Sequence, residues 1–415
     1  MRFLGFASLA GAVFVAACAS KPNYGTGAAG TNGGAGTGGG GTGGGSSYTP
    51  PALTIAHPNP IISRAAQVFS SPPNGNFVVN GQYHNGGWPA GAPNTASPSW
   101  VAIKLTATPT TILASWDDGG TYDYKDPSTT TVYGLPADYH FEVSPDSTNG
   151  TDGTWTMATD PSSHGPVEVT GNQVRTRAHA IDFTGMSWVK MVITAAPANA
   201  NGGVVQIGEI DVHDISATGA GLPDDTWFFM GDSITAFAYD RQPAHQPAFP
   251  ALVHGNAPAY YPAIINGGIG GEKTTDALAR IQEALTLNPS YRFFVLGYGT
   301  NDSAGDQIPV ATFSSNLQML IDMVKAAGRV PIIPHIPYTA TSGHGDIPSY
   351  NAAIDALTES NQLQIGPDFY GMFMAHPEYY DCPCTTHPMD GLHPGDAGML
   401  AMNLAWADAV VSFYP

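Results

Sequence analysis

Gly231-Asp232-Ser233-Ile234-Thr235 stands directly after the apolar run Trp227 to Met230, and near the other end the chain reads Asp390-Gly391-Leu392-His393-Pro394. The two stretches offer a hydroxyl, a carboxylate and an imidazole in the order Ser, Asp, His, with the last two only three residues apart. A serine hydroxyl becomes a useful nucleophile only when a base takes its proton and a third group orients that base. A turn through Gly391 can set the Asp390 carboxylate against one ring nitrogen of His393 and leave the other for Ser233. Each half also has a plainer reading. Asp232 or Ser233 can simply cap the next helix, and Asp-Gly or His-Pro in a loop is usually only a turn. The chain holds 13 histidines, so chance pairing is easy. Position carries the weight: the serine motif follows the first strand of its region, and the Asp-His motif precedes the last helix.

Two further stretches lie between these ends. Asn266-Gly267-Gly268-Ile269-Gly270-Gly271 follows a second apolar run, and Gly297-Tyr298-Gly299-Thr300-Asn301-Asp302 follows a third. Glycine lets a backbone approach a reacting carbonyl closely, and an Asn amide can donate to a developing oxyanion. Glycine clusters after strands mostly serve turns. The first cluster lacks a G-x-G-x-x-G frame and follows the second strand, which argues against a dinucleotide loop. The G-x-S-x-G elbow of the larger α/β-hydrolases is absent.

Taken together, the four stretches resemble the SGNH hydrolase family, also called GDSL-type esterases, over residues 226 to 412. The resemblance implies that Ser233 is the nucleophile and, through its N–H, the first oxyanion donor. It implies Gly271 as the second donor, with Gly268 or Gly270 as alternatives, and the Asn301 side chain as the third. His393 would be the base and Asp390 its orienter, and no metal or organic cofactor would be needed. Ile234 stands where the family's name motif has leucine.

The elements around these motifs alternate in type. Apolar runs at 226–230, 261–266, 292–297 and 329–336 read as buried strands, with helical periodicity at 274–287, 309–327, 348–360 and 396–411. Regular strand-helix alternation predicts a parallel sheet covered on both faces, an α/β three-layer hydrolase domain over 226–415. Ligands in such sheets bind beyond the carboxyl ends of the strands, where every motif above falls.

Residues 53–217 have a different texture. Val101, Ile103 and Leu105 alternate, as do Tyr139, Phe141 and Val143, and Val189, Met191 and Ile193, with Pro145-Asp146, Asn149-Gly150 and Asp152-Gly153 as turns. This predicts an N-terminal antiparallel β-sandwich joined through a linker at 218–225, in a multidomain chain. Five of the seven tryptophans lie in it: Trp88, Trp100, Trp116, Trp155 and Trp188. Each is more often core than sugar platform. The order Trp100-Val101-Ala102-Ile103, Tyr139 to Ser144, Gly153-Thr154-Trp155 and Ile207 to Val212 resembles a discoidin-like, galactose-binding-type module. That resemblance implies a carbohydrate- or surface-binding accessory.

The N-terminus points outward from the cell. Arg2 precedes an apolar stretch, Phe3 to Ala17, that ends at Cys18 and is too short for a membrane span. Val15-Ala16-Ala17-Cys18 resembles the bacterial lipoprotein box, with Cys18 as the lipidated residue; an ordinary cleaved signal is the alternative. Residues 19–52 are dominated by Gly, Thr, Ala and Ser, which predicts a flexible tether. Contact with membrane would then be through the lipid anchor alone. The chain carries 14 Lys plus Arg against 33 Asp plus Glu, so it would repel nucleic acid. Cys382-Pro383-Cys384 could form a strained disulfide or, with His387, hold zinc, though a structural loop is the simpler reading. His335 and Tyr338, after the fourth strand, could line a pocket or simply pack.

The expectation is an exported, surface-tethered or secreted ester hydrolase whose substrate partner is an acylated carbohydrate, with acetyl as the acyl group. A lipase or general short-chain esterase is the rival enzyme reading. A glycan-binding surface protein with an inactive hydrolase domain is the rival of another class.

Overall fold

Alternation along the strands of the N-terminal part sends every second side chain into one apolar core. The structure, a computed structural model, describes residues 48–83, 87–118, 123–125, 134–197, 204–219, 221–305, 307–341, 343–380 and 390–415. The expected signal, Cys18, most of the tether, and Cys382, Cys384 and His387 lie outside the described residues. Among the described residues eleven strands come first: β1 Gln67–Ser71, β2 Trp88–Gly91, β3 Ser99–Lys104, β4 Thr111–Asp117, β5 Asp138–Ser144, β6 Thr156–Met157, β7 Glu168–Val169, β8 Thr176–Asp182, β9 Trp188–Ala195, β10 Val205–Ile207 and β11 Glu209–Asp214. They pair antiparallel in the orders β1-β3-β9-β5-β6, with β7 also on β5, then β11-β4-β8 and β10-β2. Val101, Ile103, Phe141, Val189 and Met191 from the larger sheet meet Ile112, Ala114, Trp116 and Val212 from the three-stranded one in a shared core.

The three-stranded sheet is covered on its other face too. Leu113 of β4 and Ala178 and Ala180 of β8 join a core that belongs mainly to the C-terminal part. This explains why β4 is buried along nearly its whole length instead of alternating. Tyr48–Pro415 accordingly packs as one compact unit. Buried charge strengthens the contact: Arg241 of the C-terminal part pairs with Asp211 of β11 at 2.9 Å and lies 3.8 Å over the Tyr83 ring.

His179 on β8 is buried in this region, its Nε2 2.8 Å from the Tyr139 hydroxyl. Burial, with the Arg177 charge adding to it, pushes the imidazole down to about 3. The native state therefore refuses a proton that the unfolded chain accepts below its ordinary value of 6.5. Stability from this group is full above that pH and is lost as pH falls through the window toward about 3. Thermal midpoints should drop from pH 7 to pH 4 less steeply in His179→Gln than in wild type, because Gln can accept the Tyr139 proton without titrating.

The C-terminal part runs β12 Thr226–Gly231, α1 Ser233–Ala238, α2 Phe249–Asn256, β13 Ala263–Gly268, α3 Thr274–Leu287, β14 Phe293–Gly297, α4 Val310–Ala326, β15 Val330–Ile333, α5 Ile347–Ser360, β16 Gln364–Ile365, α6 Phe369–Ala375 and α7 Asp396–Ala409. The five strands are parallel in the order β13-β12-β14-β15-β16. Phe228 and Met230 of β12 pack with α3, α4 and α5 residues such as Ile281, Leu317 and Ile354. Trp227 and Phe229 face the opposite way, onto Ile234, Phe249, Met402 and Trp406. Helices thus cover both faces, which is why the strands are apolar throughout.

The four expected strands and four expected helices are all present, shifted by a few residues at most ends. β16, α1, α2 and α6 lie outside that set. The expected tether limit at residue 52 is also revised, because the Tyr48 hydroxyl donates to Leu363 O at 2.6 Å and Ile55 N–H to Phe413 O at 2.7 Å. Ile55 is fully buried in the C-terminal core, so this arm is seated before the β-rich part begins.

Candidate active site

The switch in strand order places β12 between β13 and β14, and three loops leave their carboxyl ends side by side. Asp232, at the end of β12, is the N-cap of α1 and accepts from Ile234 N–H at 2.9 Å. The capping role falls to Asp232, and Ser233 is left free at the first helical position. Its Oγ lies 2.8 Å from His393 Nε2. On the other side of the ring, Nδ1 lies 2.7 Å from Asp390 Oδ2. A carboxylate can only accept, so Nδ1 carries the proton and Nε2 is the acceptor facing the serine.

Asp390 is itself oriented from its own turn. Its Oδ1 accepts from Leu392 N–H at 2.9 Å and His393 N–H at 2.8 Å, while Gly391 bends the chain at φ +70°. Burial opposes its charge, but the His393 backbone and ring N–H groups outweigh it and hold the carboxyl below its ordinary range. The turn is fastened to the loop after β15, where Thr341 Oγ1 donates to Asp390 O and Thr339 Oγ1 to Gly391 O, at 2.9 and 2.8 Å. The edge of the His393 ring meets Phe237 at 5.3 Å between centroids.

The loop after β13 settles which glycine is open. Gly268 N–H donates to Asn266 Oδ1 at 3.1 Å, and Gly270 N–H donates to Asp123 Oδ1 at 2.7 Å. Both alternatives are thereby occupied. Gly271 sits at φ +79° with open space where a side chain would stand. Asn301, after β14, donates one amide hydrogen to Glu272 O at 3.0 Å and keeps the other. Ser233, Gly271, Asn301, Asp390 and His393 are thus brought to one sheet edge from four separate loops. Such a set can deprotonate a hydroxyl and place N–H donors around a carbonyl oxygen turning anionic.

Several supporting residues carried no motif in the sequence. Glu272 is clamped by Arg280 Nε at 2.6 Å and the Tyr298 hydroxyl at 2.9 Å, and Arg280 also donates to Gly267 O at 2.7 Å. Buried Asp302 accepts from Thr274 N–H at 3.1 Å, fixing the start of α3 beneath the loop. Burial, reinforced by the Asp302 charge, pushes Asp232 up to about 7. Adjacency to Gly271 and Asn301 was the only signal available for Glu272 and Asp302. Of the remaining expectations, His335 sits between Asp368 and Asp355 at 2.9 Å each, an ion-paired brace at the end of β15. Tyr338 gives its carbonyl to the Tyr380 hydroxyl.

β13 also reaches α1 at very close range. A Cβ on Gly268 would lie 2.3 Å from Ala236 N, so Gly268→Ala should cost about 1–3 kcal/mol. A chemical-denaturation midpoint checks this; an unchanged midpoint would mean that the two elements can part freely.

Residues 229–401 match the GDSL-like lipase/acylhydrolase family. The GDSL-like segment contains all five residues of the cluster. An arylesterase from Vibrio mimicus is 27% identical over 131 residues, covering 32% of this chain; the chain spans 61% of that relative's length. Among solved structures, a lipase/acylhydrolase from Enterococcus faecalis is 24% identical with a TM-score of 0.37, covering 45% of this chain and 94% of that one. An acetylxylan esterase from Geobacillus stearothermophilus is 18% identical with a TM-score of 0.36, covering 46% and 94%.

Proposed function

We propose that the protein is an exported carboxylic-ester hydrolase that removes acetyl groups from carbohydrate. The observation that carries the hydrolase reading is the unbroken relay Asp390 to His393 to Ser233, with contacts of 2.7 and 2.8 Å. The family match over the same residues and the arylesterase relative support it. In this reading Ser233 Oγ attacks the ester carbonyl as His393 Nε2 takes its proton. The oxyanion is held by Ser233 N–H, Gly271 N–H and the Asn301 amide. His393 then protonates the departing alkoxide, and the acyl group remains on Ser233. Water, deprotonated by the same imidazole, attacks the acyl carbonyl and releases the acid.

The carbohydrate part of the reading rests on the β-rich part, whose three sheets sharing one core are compatible with a sandwich of galactose-binding type. Trp88, Trp116 and Trp188 are fully buried, but Trp100 and Trp155 are not. Lys190 Nζ lies 3.7 Å over the Trp155 ring and 5.8 Å over that of Trp100, next to Glu142 at 2.7 Å. Aromatic faces beside charged hydrogen-bonding groups suit sugar rings. Export and anchoring rest on the Cys18 motif and the Gly-rich stretch.

A chain-length series of 4-nitrophenyl esters tests the assignment. Acetate should be turned over with the highest kcat/KM, and Ser233→Ala should remove the activity. A preference for long acyl chains would replace the acetyl reading with a lipase; equal rates for wild type and Ser233→Ala would end the hydrolase reading.

A further inference from the structure

The segment Asp123-Tyr124-Lys125 belongs by sequence to the β-rich part, yet it lies on the outer edge of the hydrolase sheet. β13 is an edge strand, with a free side for pairing beyond β12. Tyr124 N–H donates to Gly268 O at 2.8 Å, and Tyr124 O accepts from Arg175 N–H at 3.0 Å. The segment therefore bridges the start of β8 and the end of β13 by backbone bonds alone. The Tyr124 ring meets Phe228 of β12 edge-on at 5.5 Å, and its hydroxyl accepts from Asn288 at 3.2 Å. Lys125 pairs with Glu283 of α3 at 3.0 Å.

Anchored in this way, Asp123 projects its carboxylate to the bend that carries Gly271. Oδ1 takes the Gly270 N–H at 2.7 Å. A Cβ placed on Gly270 would lie 3.4 Å from Asp123 Oδ1 and 3.9 Å from Ser233 Cβ, so the contact is made directly beside the nucleophile. Gly270 and Gly271 are adjacent and unbranched, and the second sits at φ +79°. Two glycines in succession have the largest conformational freedom of any dipeptide, and a donor that must meet an oxyanion loses its value when it swings. The hydrolase part holds one end of the bend, through Glu272, Arg280 and Tyr298. The other end is held by Asp123.

We propose that Asp123 is a positioning residue for ester hydrolysis: by accepting the Gly270 N–H it fixes the Ile269–Gly270 peptide plane, one Cα before the plane that presents Gly271 N–H to the oxyanion, and so limits the swing of that donor, making the β-rich part a component of the active site. This rests on the hydrolase reading above. Asp123 touches neither substrate nor the reacting atoms. Its effect falls on the transition state, where the oxyanion exists, and leaves substrate binding alone.

The test is steady-state hydrolysis of 4-nitrophenyl acetate by the full chain, with thermal midpoints in parallel. Asp123→Ala should lower kcat by about tenfold to a hundredfold with KM within about twofold of wild type. Asp123→Asn, which keeps the acceptor oxygen, should restore kcat to within about threefold. Lys125→Ala, which loosens the same segment without touching the bend, should keep wild-type kcat. Asp123→Ser, too short to reach Gly270, replaces the alanine variant if that one does not fold. Wild-type kcat in Asp123→Ala would overturn the proposal. So would equal loss in Asp123→Ala and Asp123→Asn, or a matching loss in Lys125→Ala. Ser233→Ala separates the two readings: if it is inactive while Asp123→Ala is normal, only the positioning role fails. If Ser233→Ala is as fast as wild type, the hydrolase reading fails and this proposal with it.

Discussion

His393→Ala lowers kcat on 4-nitrophenyl acetate by a factor on the order of 10⁴ to 10⁶, and adding Ser233→Ala to it changes the residual rate very little. The expectation follows from a shared step. Among the described residues, Ser233 has no other base within reach that is positioned as His393 Nε2 is, at 2.8 Å. Without the imidazole the hydroxyl keeps its proton, and without the hydroxyl the imidazole has no proton to take. Residues acting as one unit lose almost everything at the first removal. The check is a double-mutant cycle on purified protein, with burst titration to count competent sites. Losses that multiplied across the pair would show two independent contributions and sink the relay. The same geometry keeps the orienting carboxylate charged. Asp390 is held below its ordinary range, by the His393 N–H groups against the pull of burial, and so remains charged as pH falls.

Asn301→Ala is expected to reduce kcat by about 10²- to 10³-fold with KM little changed. An amide donor near a planar ester oxygen contributes little; near a tetrahedral oxyanion it contributes fully, so its loss appears in kcat. The second hydrogen of the same amide holds Glu272 O at 3.0 Å, so the alanine also loosens the Gly271 bend from its far end. Asn301→Asp should be at least as impaired, because a carboxylate cannot donate and would repel the oxyanion. Kinetics on an activated and an unactivated acetate ester decide the matter. A rise in KM with unchanged kcat would place Asn301 in ground-state binding and remove it from the oxyanion site.

The meeting of Ser233, His393 and Asp390 was legible from residue types because each sits in a short local motif. Asp390 and His393 interact across three residues and one glycine turn, a distance that local chain geometry settles. The same holds for the strands, whose apolar runs are long enough to announce burial on both faces. What could not be read was the choice among Gly268, Gly270 and Gly271. That choice depends on which N–H groups already have acceptors, and one acceptor, Asp123, lies 147 residues away in the chain. Glu272, Arg280 and Asp302 were silent for the same reason, since a carboxylate next to a glycine has many uses and only its partners reveal which one applies.

By itself, then, the sequence determined the chemistry on offer and the order of elements: a serine after the first strand, donors after the next two, and a base before the last helix. Hydrophobic periodicity and local turns suffice for that, because both act over a few residues. The tertiary structure alone decided that the two parts share a core, that the chain is seated from Tyr48 onward, and that a β-rich segment pairs with the edge of the hydrolase sheet. Those are contacts between residues far apart in sequence. They are selected by shape and by the need to satisfy buried backbone groups, and neither of these leaves a periodic trace in the chain.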